Sequence, residues 1–165
     1  MDLPDWLPPL VYLADHGGDW NRYVEALYAY YRQDFCDSQP MLNGRRVARR
    51  VTPVDQGKEA CFWHLISEGR VESQRLPDPR RCERIRWPRP IVERAGDPPL
   101  KVWENRRGRD RRLCIWFEEA DYLVVLVVRS GYYLLLTAYP VTHPHTRRKL
   151  QKEHSAYTKA NAALS

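Results

Sequence analysis

Between Lys101 and Val141 the chain passes through four apolar-rich stretches, KVWENRR, RRLCIWFE, DYLVVLVVR and YYLLLTAYPV, separated by GRD, EA and SG. Runs of β-branched and aromatic residues joined this tightly predict antiparallel neighbours in chain order, because such short connections leave no room for a crossover. Earlier in the chain the period changes. After Asp19, a residue suited to accept hydrogen bonds from the free N–H groups of a helix start, Trp20, Tyr23, Val24, Leu27, Tyr31 and Phe35 recur at helical spacing and predict a helix over about 19–36. A turn at Asn43-Gly44 follows, then a mixed basic and apolar run, then the loop TPVDQGKEA. CFWHLIS reads as a strand over 60–67, with Cys61, Trp63 and Leu65 on one face and Phe62, His64 and Ile66 on the other. Asp78 before Pro79 starts a short helix over about 78–86, and Pro88 and Pro90 predict an irregular connection after it. The last segment, HTRRKLQKEHSAYTKANAAL, is a helix with Leu150 and Tyr157 one heptad apart. The expected fold class is α+β, an antiparallel sheet of four to five strands packed against N-terminal and C-terminal helices.

A chain of 165 residues fits a single domain, 1–165. Within it, the Pro- and Gly-rich segment 1–18 is expected to wrap the surface, 19–155 to form the core and 156–165 to fray. The four cysteines are far apart in sequence and form no CxxC pair, which argues against a zinc ribbon and against a disulfide framework. Reduced thiols fit a cytoplasmic protein, and the N-terminus MDLPDWLPPL carries acids where an export signal carries bases. The most apolar stretch, 122–139, is broken by RSG and reads as a hairpin, so no membrane partner is expected. There is no phosphate-cradling glycine loop, no GxSxG and no nucleotide fingerprint. His143 and His145 lack a partner ligand at metal spacing, and Glu118, Glu119 and Asp121 read as a solvated hairpin tip, so neither metal nor cofactor is implied.

Charge adds a candidate partner. The net charge is +6, and the cations are 22 Arg against 5 Lys. Arginine forks onto phosphates and stacks on bases, which suits RNA, although GC-rich coding produces the same bias without a functional cause.

Candidate chemistry comes from strand alternation. On the final strand Tyr133, Leu135, Thr137 and Tyr139 share a face, and on the first strand of the meander Val102, Glu104 and Arg106 share one. Were these to coincide with the face bearing His64, one surface would hold an imidazole, a carboxylate, a guanidinium, a hydroxyl and a phenol. That inventory cleaves RNA without a metal: one group takes the 2′-hydroxyl proton, another protonates the leaving oxygen, and a cation steadies the phosphate. The plainer reading makes Glu104 and Arg106 a cross-strand ion pair and His64 a packed histidine holding one hydrogen bond.

The order of elements, with FWHLIS, a helical connection, a meander ending LLTAYPV and a basic terminal helix, resembles the phage and prophage branch of the barnase, EndoU, colicin and RelE ribonuclease superfamily over residues 58–155. The resemblance implies a metal-independent endoribonuclease that leaves a 2′,3′-cyclic phosphate. It places His64 in the histidine position, Arg106 or Arg107 in the cationic one, and Thr137 or Tyr139 in the last. Glu104 has no counterpart there. RNA would be the substrate and an antitoxin or other protein a partner. Two alternatives stand beside it. One is a non-catalytic binding module in which Arg45, Arg46, Arg49, Arg50, Arg107, Arg147 and Arg148 hold a nucleic-acid backbone by charge. The other is a phage interaction protein that meets its partner through aromatic residues such as Trp6 and Trp87.

Overall fold

The computed structural model describes residues 2–164. Its strands are β1 (Met41–Leu42), β2 (Arg45–Ala48), β3 (Ser67–Glu68), β4 (Leu76–Pro77), β5 (Lys101–Arg107), β6 (Asp110–Phe117), β7 (Tyr122–Arg129) and β8 (Tyr132–Pro140). Its α-helices are α1 (Trp20–Tyr31), α2 (Ala60–Ile66), α3 (Pro79–Glu83), α4 (Pro88–Glu93) and α5 (Pro144–Leu164). Six strands form the main sheet in the order β1-β2-β8-β7-β6-β5, and β3 pairs β4 in a separate ribbon.

The α+β class holds, and the meander β5 to β8 is antiparallel as expected. The strand count and pairing do not: the sheet has six strands and is mixed, because β2 joins β8 in parallel through Val47 opposite Tyr133 and Ala48 opposite Leu134. The Asn43-Gly44 turn, with both residues at positive φ (52° and 75°), closes the β1–β2 hairpin in the twist that two-residue hairpins favour.

The segment 60–67 is not a strand. Residues 60–66 form α2, and the buried positions Cys61, Phe62, Leu65 and Ile66 follow helical i, i+4 spacing. Its first free N–H groups find partners outside the helix, Ala60 N donating to Val51 O (3.0 Å) and Cys61 N to Arg50 O (2.9 Å). A short, mostly apolar run fits both periods, and its β-prone Phe, Trp and Ile favour a strand when the segment is taken alone. The connection after α3 is also more regular than expected. Pro88 and Pro90 lie in the first turn of α4, where a missing N–H costs nothing. At the C-terminus, where fraying was expected from 156, α5 continues to Leu164.

α1 matches its prediction, capped by Asp19, whose side chain accepts from Arg22 N (3.2 Å), and extended by a π-type turn over Arg32–Cys36. Its inner face, Tyr23, Val24, Leu27 and Tyr31, packs with Phe62, Ile66 and Ile91 onto one side of the sheet at Ile115, Val124, Leu126, Leu135 and Ala138. Full burial of side chains this size stabilises by about 1.5–3 kcal/mol each. The opposite side of the sheet, at Trp103, Cys114, Trp116, Leu123 and Val125, is covered by Leu150 and Tyr157 of α5.

The N-terminal segment is tied down. Val11 N donates to Glu83 O (2.9 Å), Tyr23 OH to Val11 O (2.6 Å) and the Trp87 indole to Pro8 O (2.9 Å). Trp6 stacks on Phe117, and Trp87 is buried. Both tryptophans therefore belong to the packing and do not present a partner surface.

Candidate nucleic-acid interface

Glu59 fixes the approach of α2 to the sheet. It stands at the N-cap of α2, yet its carboxylate makes no cap bond and reaches sideways. Oε1 accepts from Tyr31 OH (2.7 Å), Arg49 Nε (2.7 Å) and Cys36 Sγ (3.5 Å), while Oε2 accepts from Arg49 Nη2 (3.3 Å). Burial pushes this carboxyl upward in pKa, but the Arg49 and Tyr31 hydrogen bonds outweigh it and hold it below the ordinary 4.5. α1, the end of β2 and α2 are thus locked together, which sets where the neighbouring Arg50 and His64 lie.

The sheet face on the α5 side follows from register. At its lower end Arg107 stands opposite Asp110 and Arg129 opposite Tyr132, with Asp110 accepting from Arg129 Nη1 at 3.1 Å. One row higher lie Arg112, Val127 and Leu134. Arg46 of β2 sits over the Tyr132 ring, its guanidinium carbon 4.3 Å from the ring centre. Arg50 borders a cavity of about 160 Å³ whose lining includes Cys61 and His64 of α2 and Val127, Leu134 and Leu136 of the sheet. Five arginines from three distant segments therefore lie toward this end of the sheet, and two of them, Arg50 and Arg129, line the cavity. Arg107 is held by Glu153 (3.2 Å) and Arg129 by Asp110, whereas among the described residues no carboxylate lies within ion-pair distance of Arg46, Arg50 or Arg112.

The residues expected to act together are divided. The structure places a bulge at Leu136: Val125 pairs with Thr137 but Leu126 pairs with Leu135. The extra residue turns Thr137 and Tyr139 to the face opposite Tyr133 and Leu135, correcting the simple alternation. Thr137 shares its face with Val125, Cys114 and Trp103. Glu104 and Arg106 lie on the other face, where Glu104 is paired with Arg111 (3.0 Å). His64 sits on α2, and its Nε2 meets Glu72 Oε1 at 2.9 Å. It borders two clefts, the cavity above and a polar cleft of about 560 Å³ between α1 and α2, and neither is lined by Thr137 or Tyr139.

The cation beside Thr137 is Arg81, not Arg106 or Arg107. Its Nη1 donates to Ser67 O (2.6 Å) and reaches Thr137 Oγ1 (3.5 Å), and its guanidinium carbon lies 5.2 Å from the Tyr139 ring centre. Burial and the neighbouring Arg75, which also donates to Ser67 O (2.6 Å), lower the Arg81 pKa. Burial raises that of Tyr139.

Of the remaining basic residues, Arg45 is exposed on β2 and Arg49 is spent on Glu59. Arg147 is bonded to Glu118 and Asp121, so that acidic tip is an ion-paired anchor for α5 and not a free solvated turn. Arg148 is exposed on α5. His143 and His145 stack on each other, ring centres 5.4 Å apart. Among the described residues no group of three or more His, Cys, Asp or Glu is placed to hold a metal ion.

Arg112, Arg129 and Asp110 were missed by sequence reasoning. For Arg112 and Asp110 the signal was present in RRGRDRR at 106–112, five arginines in seven residues on a hairpin, while Arg129 carries no such local signal. No family model, curated protein or solved structure matches the chain.

Proposed function

We propose that this protein is a nucleic-acid-binding module that grips a sugar–phosphate backbone with the arginine-rich end of its sheet. The observation that carries the reading is the gathering of Arg46 of β2 and Arg50 just beyond it, Arg107 and Arg112 of the β5–β6 hairpin, and Arg129 of β7 toward one end of the sheet. The fold brings together like charges that repel one another, which is costly unless an anion neutralises them.

The test is the salt dependence of binding to a labelled single-stranded RNA. Among the described residues no carboxylate pairs with Arg46, Arg50, Arg112 or the exposed hairpin-tip Arg109, so about four phosphates are neutralised. The slope of log K against log salt is then about −3, a loss of roughly fiftyfold between about 50 and 200 mM. Changing Arg46→Gln and Arg50→Gln together should reduce that slope by about half, while Arg111→Gln, paired on the opposite face, should leave it unchanged. A flat response, or no binding at low salt, rejects the reading.

A second reading, metal-independent RNA cleavage with His64 moving the proton, has the Glu72 carboxylate beside the imidazole in its favour. Cleavage in EDTA that disappears in His64→Ala would support it. Intact RNA after incubation with the wild-type protein would remove it.

A further inference from the structure

The cavity beneath Arg50 has a shape and chemistry that backbone binding does not use. Its lining is apolar at Val127, Leu134, Leu135 and Leu136 and polar at Arg50, Arg129, His64 and Asp110. A cavity of about 150 Å³ takes one benzene-sized ring, and this one measures about 160 Å³. Flat, apolar-faced rings with polar edges fit such a site, and a strand lying across the surrounding arginines supplies them at every residue.

We propose that an unstacked base of the bound strand enters this cavity, so that the protein selects single-stranded over duplex nucleic acid. The inference rests on the backbone-binding reading and deepens it. In a duplex the bases are stacked and paired, and extruding one costs free energy; in a single strand that cost is small. The base's faces meet Val127, Leu134 and Leu136, and its polar edge is left at the rim. There Arg50 and Arg129 donate to ring carbonyls or to the adjoining phosphate. The contact between His64 Nε2 and Glu72 Oε1 (2.9 Å) fixes the imidazole where it lines the cavity, as a polar partner for the edge of the base. Asp110, which also lines the cavity, holds Arg129 in position (3.1 Å) and offers an acceptor to an amino group of the base. Because the Glu59 network fixes both Arg49 and the start of α2, the two sides of the cavity, Arg50 and His64, are set before any ligand arrives.

The experiment compares three labelled probes of equal length on the full chain at low salt: oligouridylate, the same strand with abasic residues, and the strand annealed to its complement. The expected result is binding of all three through their phosphates, with the single strand held at least about tenfold tighter than the abasic one. The duplex should be weaker than the single strand in the same sense. A strand carrying 4-thiouridine, irradiated in the complex, should form its adduct within residues 61–64 or 127–136. Equal affinity for the uridine and abasic strands overturns the base cavity and leaves the backbone reading standing. A base preference whose adduct maps outside both segments and away from Arg50 and Asp110 also overturns the cavity. Absence of binding by every probe overturns the backbone reading, and the inference falls with it.

Discussion

Replacing Glu59 by alanine tests whether one carboxylate holds the site's two halves together. In Glu59→Ala the Tyr31 hydroxyl, on a fully buried ring, loses its acceptor, and an unsatisfied buried hydroxyl costs about 1–3 kcal/mol. The two-pronged Arg49 pair is lost as well. Its side chains are 28% and 14% exposed, so water recovers part of that interaction and about 1 kcal/mol is assigned to it. The sum is about 3 kcal/mol, or roughly 6–12 °C in Tm for a domain of this size. Tyr31→Phe, which removes the hydroxyl but leaves the ion pair, should cost about 1 kcal/mol. Urea unfolding followed by circular dichroism at neutral pH measures all three proteins. The depressed Glu59 pKa adds a pH signature: its stabilisation is present above the ordinary 4.5 and disappears as pH falls through the lower folded-state value. The difference between wild type and Glu59→Gln should therefore be constant above about pH 5.5 and shrink below 4.5. A Glu59→Ala protein within about 0.5 kcal/mol of wild type would refute the reasoning.

Two other outcomes concern buried groups. Burial pushes the Asp34 carboxyl up to about 6, against the opposing pull of Arg89 and Arg86, so the folded state binds a proton that the unfolded chain has released. Stability then falls as pH rises from about 4 to 6, and Asp34→Asn should be about 1 kcal/mol more stable at pH 7 with no gain at pH 3.5, read from thermal melts at both pH values. The thiols of Cys61, Cys82 and Cys114 are buried and pushed up to about 12, so a disulfide reagent at neutral pH should leave them unmodified until the protein unfolds. Rapid reaction of three or more thiols in the native protein would contradict this packing.

The parts of the fold legible in the sequence are those made by near neighbours. Strong alternation with short turns determined the β5–β8 meander, an Asp cap with six apolar residues at helical spacing determined α1, and Asn-Gly determined the first hairpin turn. Tertiary structure decided the rest, for identifiable reasons. CFWHLI satisfies a strand and a helix equally well, and it became α2 because Arg50 and Val51 receive its free N–H groups while Glu59 ties it to α1 and to Arg49. The parallel pairing of β2 with β8 joins residues about eighty-five positions apart, a contact for which no local pattern exists. Thr137 and Tyr139 were carried to the other face by one bulged residue, since a shift of one position exchanges the two sides of a strand. The arginines show the same division. Their abundance belongs to the composition, but which of them are neutralised by carboxylates, and that Arg50 and Arg129 line the cavity, depends on where the folded chain puts Glu59, Glu153 and Asp110.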